Sequence, residues 1–263
     1  MTRLLQVDAF ADGPFTGNPA AVAILEKPRD ESWMQRVAQE MNLSETAFVL
    51  PAGSDWAIRW FTPTTEVALC GHATLASFHA LREEGKVGDS VTFSSASGPL
   101  VARAVGDRVE LDFPATPPER CDEPEGLLDA LGLADAKHIA RSRHDVLVEV
   151  GEQKELTDLY PDFRALSGVD ARGVIVTAMA DEGGEGLDFV SRFFAPRAGV
   201  DEDPVTGSAH CALAPYWSAK LGARPLRAKQ LSRRSGRLEV ELRGDRVALR
   251  GQAVTVLAGE LRV

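Results

Sequence analysis

In ALCGHATLASFHAL (68–81), Cys70, Gly71 and His72 stand side by side where an extended run gives way to a helix of small and apolar residues. A thiol and an imidazole are both proton carriers, and a helix start can lower a thiol's pKa. Glu45 is a further candidate. In NLSETAF it opens an apolar run just after Asn42, and the partial burial this predicts favours a carboxyl group poised for proton transfer. A glutamate here can equally serve as a local hydrogen-bonding partner of Ser44 and Thr46. DEDPVTGSAH (201–210) supplies Asp203 before Pro204 and Ser208 after Gly207, types common in turns and at helix starts. The starts at Gly71-His72 and Gly207-Ser208 expose backbone N–H groups that have no intrahelical acceptor. Glycine permits close approach and the helix dipole favours an anion, so a carboxylate or an oxyanion can be held there. Asn18, in TGNPAAV, is either a turn residue before Pro19 or a substrate contact.

The remaining chemistry-bearing residues carry less. Cys70, His72, His210 and Cys211 lie in adjacent pairs too close for a usual zinc ligand set, and CxxC pairs are absent, so no metal is expected. Three cysteines build no disulfide framework, which fits a reducing cytoplasm. His79 falls on the apolar helix as a core histidine, Cys211 as a small buried residue, and His138 and His144 receive no role. Lys+Arg of 29 against Asp+Glu of 39 gives a net charge of −10, which repels phosphate backbones and anionic lipid. Nucleic-acid and membrane partners are therefore not expected. The longest clean apolar runs resemble AAVAIL (20–25), far short of a membrane span. Asp8 and Asp12 interrupt what a secretion signal would keep apolar, so none is expected. Neither a dinucleotide-binding nor a P-loop glycine pattern occurs, and no cofactor is expected.

The 263 residues, 44% apolar and 26% charged, suffice for one large domain or two small ones. The chain is written twice. SGPLVARAVGDRVEL (97–111) and SGRLEVELRGDRVAL (235–249) agree at eight of fifteen positions with a constant offset of 138, each a hairpin pattern around Gly-Asp. Upstream, FTPTTEVALCGHATLA (61–76) faces FAPRAGVDEDPVTGSAHCALA (194–214), the second loop being three residues longer. Strand, loop, helix and hairpin repeat in order, with Pro-rich FPATPPERCDEPEG (113–126) as the joint. The domains are expected at 1–117 and 118–263, the last strand being free to return to the first. In the first half, LLQVDAF, AAVAIL, ETAFVL and WAIRWFT read as strands. Trp33, Met34, Val37, Ala38 and Met41 share a helical face capped by Asp30. The helix from Gly71 to about Glu84 and its counterpart over 207–222, with Pro215 inside, lack polar faces. Each is expected to be enclosed by its own sheet, with the ligand site between the halves. DEGGEG (181–186) reads as a solvated connection.

VDAFADGPFTGNPAAVAIL, MNLSETAFV, RWFTPTTEVALCGHATLA and RFFAPRAGVDEDPVTGSAH closely resemble the phenazine-biosynthesis PhzF-like family, which shares the diaminopimelate-epimerase fold. The resemblance runs to about residue 220 and thins through 120–170. It implies an α+β protein of two pseudo-symmetric domains, each a barrel-like β-sheet wrapped around a central helix, often paired as a homodimer. It also implies a cofactor-free isomerase acting on a small carboxylate. The best-known activity in the family is isomerisation of trans-2,3-dihydro-3-hydroxyanthranilate. One departure is Leu231, where the family pattern has a Gly after Gln230.

The resemblance makes Glu45 the general acid/base, His72 a proton-handling or orienting group, and Asp203 and Ser208 polar partners of the substrate. Gly71, Gly207 and Asn18 fall to substrate binding. Two-base epimerases of this fold use two opposed cysteines. Here Cys70 holds the first place, while Thr206 or Asp203 holds the second, so two-thiol racemisation is disfavoured and Cys70 reads as an inherited bystander. The alternatives are an amino-acid racemase or epimerase on the same fold and a non-catalytic small-carboxylate-binding protein.

Overall fold

The structure, a computed structural model, describes residues 1–182 and 186–263; residues 183–185 of the acidic DEGGEG stretch lie outside the described residues. The chain divides into two compact units, residues 1–113 with 248–263, and residues 114–247.

The first unit runs β1 (Thr2–Ala9), β2 (Asn18–Ile24), α1 (Glu31–Met41), β3 (Glu45–Ala52), β4 (Asp55–Phe61), β5 (Glu66–Val67), α2 (Gly71–Glu83), β6 (Ser90–Ser95), β7 (Gly98–Val105) and β8 (Arg108–Pro114). The second runs β9 (Glu119–Arg120), α3 (Leu127–Leu131), β10 (His138–Arg141), β11 (Asp145–Glu149), α4 (Gln153–Asp158), α5 (Phe163–Leu166), β12 (Gly173–Met179), β13 (Phe189–Phe194), α6 (Gly207–Leu221), β14 (Leu226–Gln230) and β15 (Gly236–Arg243), and β16 (Arg246–Gly251) is divided by the boundary after residue 247. The final strand, β17 (Ala253–Leu261), pairs antiparallel with β1.

The repeat read from the hairpins extends to strand pairing. In the first unit β1–β2 is antiparallel, β2–β3 parallel, β3–β4 antiparallel, β4–β6 parallel and β6–β7 antiparallel. The second unit repeats that order with β10–β11, β11–β12, β12–β13, β13–β14 and β14–β15. A parallel pair requires a crossover. The crossovers are α1 and α2 in the first unit, α4–α5 and α6 in the second. The matching Gly-Asp turns place Gly106 and Gly244 at φ 62° and 65°, in the left-handed region that a tight hairpin uses.

Helix α1 behaves as its periodicity predicts. Asp30 accepts from the Trp33 N–H at 2.7 Å, and Asn42 closes the helix at φ 48°. Met34, Val37 and Ala38 pack with Leu4, Ala21, Ala23, Phe48 and Phe61. Helix α2 is of the other kind. It packs against β1, β2, β3, β7 and β17, and residues 72–78 are all buried. Its polar residues survive there by bonding back along the helix, Thr74 Oγ1 to the Cys70 carbonyl at 2.6 Å and Ser77 Oγ to that of Ala73 at 2.7 Å. Helix α6 is equally enclosed, with Trp217 stacked on Phe189 and its Nε1–H donating to Thr177 Oγ1 at 3.0 Å. Residues 120–180, the least legible in sequence, hold a core of their own from Leu127, Val146, Val148, Leu156, Val174 and Val176.

Leu75 is fully buried in α2. Leu75→Ala is expected to cost roughly 2–5 kcal/mol of unfolding free energy, through lost transfer energy and the cavity left behind. Urea denaturation would read it; a loss below about 1 kcal/mol would mean that α2 is not the rigid centre of its unit.

Candidate active site

Two strands and one helix start build the site of the first unit. Gly17 turns the chain into β2 at φ 70°, where a Cβ would stand 2.3 Å from the Ala9 carbonyl oxygen, so only glycine fits. Asn18 follows as the first residue of β2 and is fully buried, not a loop residue. Ser44 donates to Asn18 Oδ1 at 3.2 Å, and the parallel pairing of Ala20 with Glu45 fixes the start of β3. The local role for Glu45 is not the one found. The Ser44 hydroxyl is taken by Asn18, and the buried Thr46 Oγ1 has no hydrogen-bond partner.

Glu45 points instead to His72. Its Oε2 lies 3.1 Å from His72 Nε2. This is an ion-pair contact rather than an aligned hydrogen bond, since the buried Oε2 accepts no hydrogen bond of good geometry. On the other edge of the ring, Cys70 Sγ lies 3.5 Å from Nδ1 and 4.0 Å from Nε2. Cys70 is therefore not a bystander: with its neighbour two residues on it forms a buried thiol–imidazole contact, completed by the carboxylate. The three donor atoms lie within 4.8 Å of one another, close enough to share a metal ion.

Burial opposes the His72 imidazolium, but its close contacts with Cys70 and Glu45 hold its pKa well above the ordinary histidine range. Burial, aided by Glu45, pushes the Cys70 thiol up, so near neutrality the thiol keeps its proton and the carboxylate is the standing partner of the imidazolium. Cys70 is also the N-cap of α2, in extended conformation at φ −145° and ψ 111°, and its side chain makes no capping bond. The first-turn N–H groups at Gly71 and His72 thus lack a side-chain acceptor at the N-cap.

The second unit repeats the geometry with other chemistry. Thr206 is the N-cap of α6, extended at φ −112° and ψ 104°, and again no side chain caps the helix. Thr206, rather than Asp203, is the positional counterpart of Cys70. Its hydroxyl donates to Asp203 and its N–H to Gln230 Oε1 at 3.0 Å, while Gln230 Nε2 donates to the Asp203 carbonyl at 2.7 Å. Gln230 thereby positions Asp203; the only sequence signal for it was its place before Leu231. The altered residue is accommodated, with the Leu231 N–H donating to the Ser191 carbonyl at 2.7 Å. Ser208 accepts from Arg172 Nη2 at 3.0 Å, and Arg172 is itself bidentate to Asp145 at 2.9 and 2.6 Å. Nothing in the sequence singled out Arg172. Cys211 is buried as expected, and His210 bonds through Nδ1 to the Thr206 carbonyl at 2.8 Å; burial lowers its pKa to about 4, which keeps it neutral.

Comparison with known proteins places this arrangement in context. The family model described as "Phenazine biosynthesis-like protein" matches residues 7–259. An uncharacterized isomerase of Pseudomonas aeruginosa is 48% identical over 99% of this chain and 98% of its own. Another, from Halalkalibacterium halodurans, is 49% identical over 99% and 98%. The crystal structure of a PhzF family protein from Enterococcus faecalis superposes with a TM-score of 0.95 at 42% identity, covering all of both chains. The α+β fold expected from the sequence is thus the fold of that family. Among the described residues, no helix is long and apolar enough to cross a membrane.

Because the folded His72 pKa stands above the unfolded value near 6.5, the pair stabilises the fold fully below that pH and loses its contribution as pH rises through the folded pKa. Glu45→Gln should lower the His72 pKa, seen by NMR titration of the imidazole, and should destabilise the protein more at pH 6 than at pH 9. An unmoved titration would show that the two groups are not coupled.

Proposed function

This chain belongs to the phenazine biosynthesis-like family, and from that membership we propose that it is an isomerase that moves a proton between two carbons of a small carboxylate, with Glu45 as the carrier. The observation that carries the reading is the half-buried Glu45, whose buried Oε2 lies 3.1 Å from His72 Nε2 beside a helix start with no side-chain cap. The relatives named as isomerases support the reaction class.

In this reading the substrate carboxylate, or the oxyanion that develops when a neighbouring C–H is deprotonated, is held by the N–H groups at Gly71 and His72, and Gly207 is assigned to substrate binding on the family resemblance alone. Glu45 accepts the proton from one carbon, the electron pair shifts a double bond, and Glu45 returns the proton to a second carbon on the same face. Atoms and electrons balance within the substrate, so the reaction calls for no cofactor. The His72 imidazolium supports negative charge as it develops. Asp203 and Ser208 are assigned to the polar groups of the substrate, and buried Asn18 to holding the Ser44–Glu45 corner that meets it. A homodimer is part of the proposal on the family resemblance alone. Within the same reading the favoured substrate is trans-2,3-dihydro-3-hydroxyanthranilate or a close relative.

One observation favours a second reading. Cys70 Sγ at 3.5 Å from His72 Nδ1 is a thiol beside an imidazole, a pairing that an amino-acid racemase or epimerase would use. The two are separated by mass spectrometry in deuterated water. Incubated with trans-2,3-dihydro-3-hydroxyanthranilate, wild type should convert it with carbon-bound deuterium incorporated, and Glu45→Gln should be slower by about 10²–10⁴-fold. α-Proton exchange of amino acids that is lost in Cys70→Ala and kept in Glu45→Gln would overturn the isomerase assignment. Binding of small carboxylates without any exchange would leave a binding protein.

A further inference from the structure

We propose that Glu45, Cys70 and His72 form a binding site for one divalent cation of the zinc class, and that filling it arrests the proton transfer assigned to Glu45. The arrest rests on the proposed function; the binding does not.

The geometry points there first. His72 Nε2 lies 3.1 Å from Glu45 Oε2 and 4.0 Å from Cys70 Sγ, which is nearer Nδ1 at 3.5 Å, and one ligand atom from each of the three residues falls within 4.8 Å of the others. In a tetrahedral zinc site with Zn–S near 2.3 Å and Zn–N or Zn–O near 2.0–2.2 Å, neighbouring donors stand about 3.3–3.6 Å apart. The Sγ–Nε2 separation has to close by about half an ångström, and Sγ has also to approach Glu45 Oε2, from which it stands within 4.8 Å, both by side-chain adjustment. Two donors come from the start of one enclosed helix and the third from the first residue of a paired strand, so the frame is already rigid.

The chemistry of the donors agrees. A sulfur, an imidazole nitrogen and a single carboxylate oxygen suit a borderline-soft ion and not magnesium or calcium, which take oxygen. Three protein donors leave a fourth position for water or a small anion. The thiol binds as thiolate and the imidazolium as neutral imidazole, both protons passing to solvent, and two negative ligands then balance the dication, so no net charge is buried.

Glu45, half-buried, differs from three of the buried carboxylates of the chain. Glu110 meets Arg103 and Arg250, Glu149 meets Lys220, and Asp145 meets Arg172, each a permanent cation. Glu45 has only a histidine, which can exchange its proton for a metal, and its Oε2 is buried without a well-aligned hydrogen bond. A metal held there takes the carboxylate lone pair that proton abstraction requires.

Cobalt(II), a spectroscopic stand-in for zinc, tests the binding on chelator-treated protein. Wild type is expected to bind cobalt with 1:1 stoichiometry, showing a thiolate-to-metal charge-transfer band and the visible bands of a tetrahedral ion, both removed by added zinc. Cys70→Ser should abolish the charge-transfer band, and Glu45→Gln should weaken binding by about tenfold or more. Cys121→Ser, at a cysteine outside the cluster, should change neither. Circular dichroism of each variant confirms that it is folded. No band in wild type, or a band that survives Cys70→Ser, overturns the site. Zinc that binds without slowing deuterium exchange overturns the arrest. Failure of exchange in metal-free protein would count against the isomerase reading and leave the optical test of the site intact.

Discussion

The enclosure of α2 constrains everything around it. A helix buried on nearly every face cannot carry charged side chains along its length, so its residues are small, apolar or hydroxyl-bearing, and the hydroxyls bond back to their own turn. Polarity is then left to the two ends, with His79, Arg82 and Glu83 toward the last turn and Cys70 and His72 at the start. There the first-turn N–H groups lack intrahelical acceptors, and Cys70 as N-cap offers no side-chain bond to them. The interior scaffold of the unit and its most reactive polar surface are two ends of one element.

What stands at that end is decided by strand pairing. The parallel alignment of β2 with β3 puts Glu45 beside Ala20, and the buried Asn18, reached through a turn only glycine can make, takes up the Ser44 hydroxyl. The carboxylate is left to the imidazole. Since burial keeps the proton on Cys70 near neutrality, His72 is held charged by Glu45, and the thiol sits at the edge of that pair. Three titratable groups with sulfur, nitrogen and oxygen donor atoms thus meet within 4.8 Å at one helix start.

The second unit shows how far a duplication conserves chemistry. Strand order, crossover helices and the extended N-cap recur, yet the thiol gives way to the Thr206 hydroxyl and the imidazole to Ser208. Those groups are engaged by Asp203, Gln230 and Arg172 rather than by one another. Backbone pairing is insensitive to such replacements because it is made by main-chain groups, whereas proton chemistry depends on each side chain. The duplicated frame therefore carries two helix starts of similar shape and different reactivity.

The sequence by itself determined the elements with strong local signals. Asp30 capping α1, the Gly-Asp hairpins and the polar-face-free helices are all short-range patterns, and each stands in the structure where the pattern put it, while the family motifs around Glu45, His72 and Asp203 identify the family. The strands of 120–180 were not legible, because β11 and β12 are buried on both faces and show no alternation. Nor were the partners. Glu45 meets His72 from 27 positions away, Ser44 meets Asn18 from 26, and Arg172 meets Ser208 from 36. Only the tertiary structure decided that Cys70 belongs to the cluster, that Asn18 is a buried strand residue, and that Gln230 fixes Asp203. Such contacts depend on crossover connections that bring distant strands and helix starts together, and spacing along the chain holds no record of them.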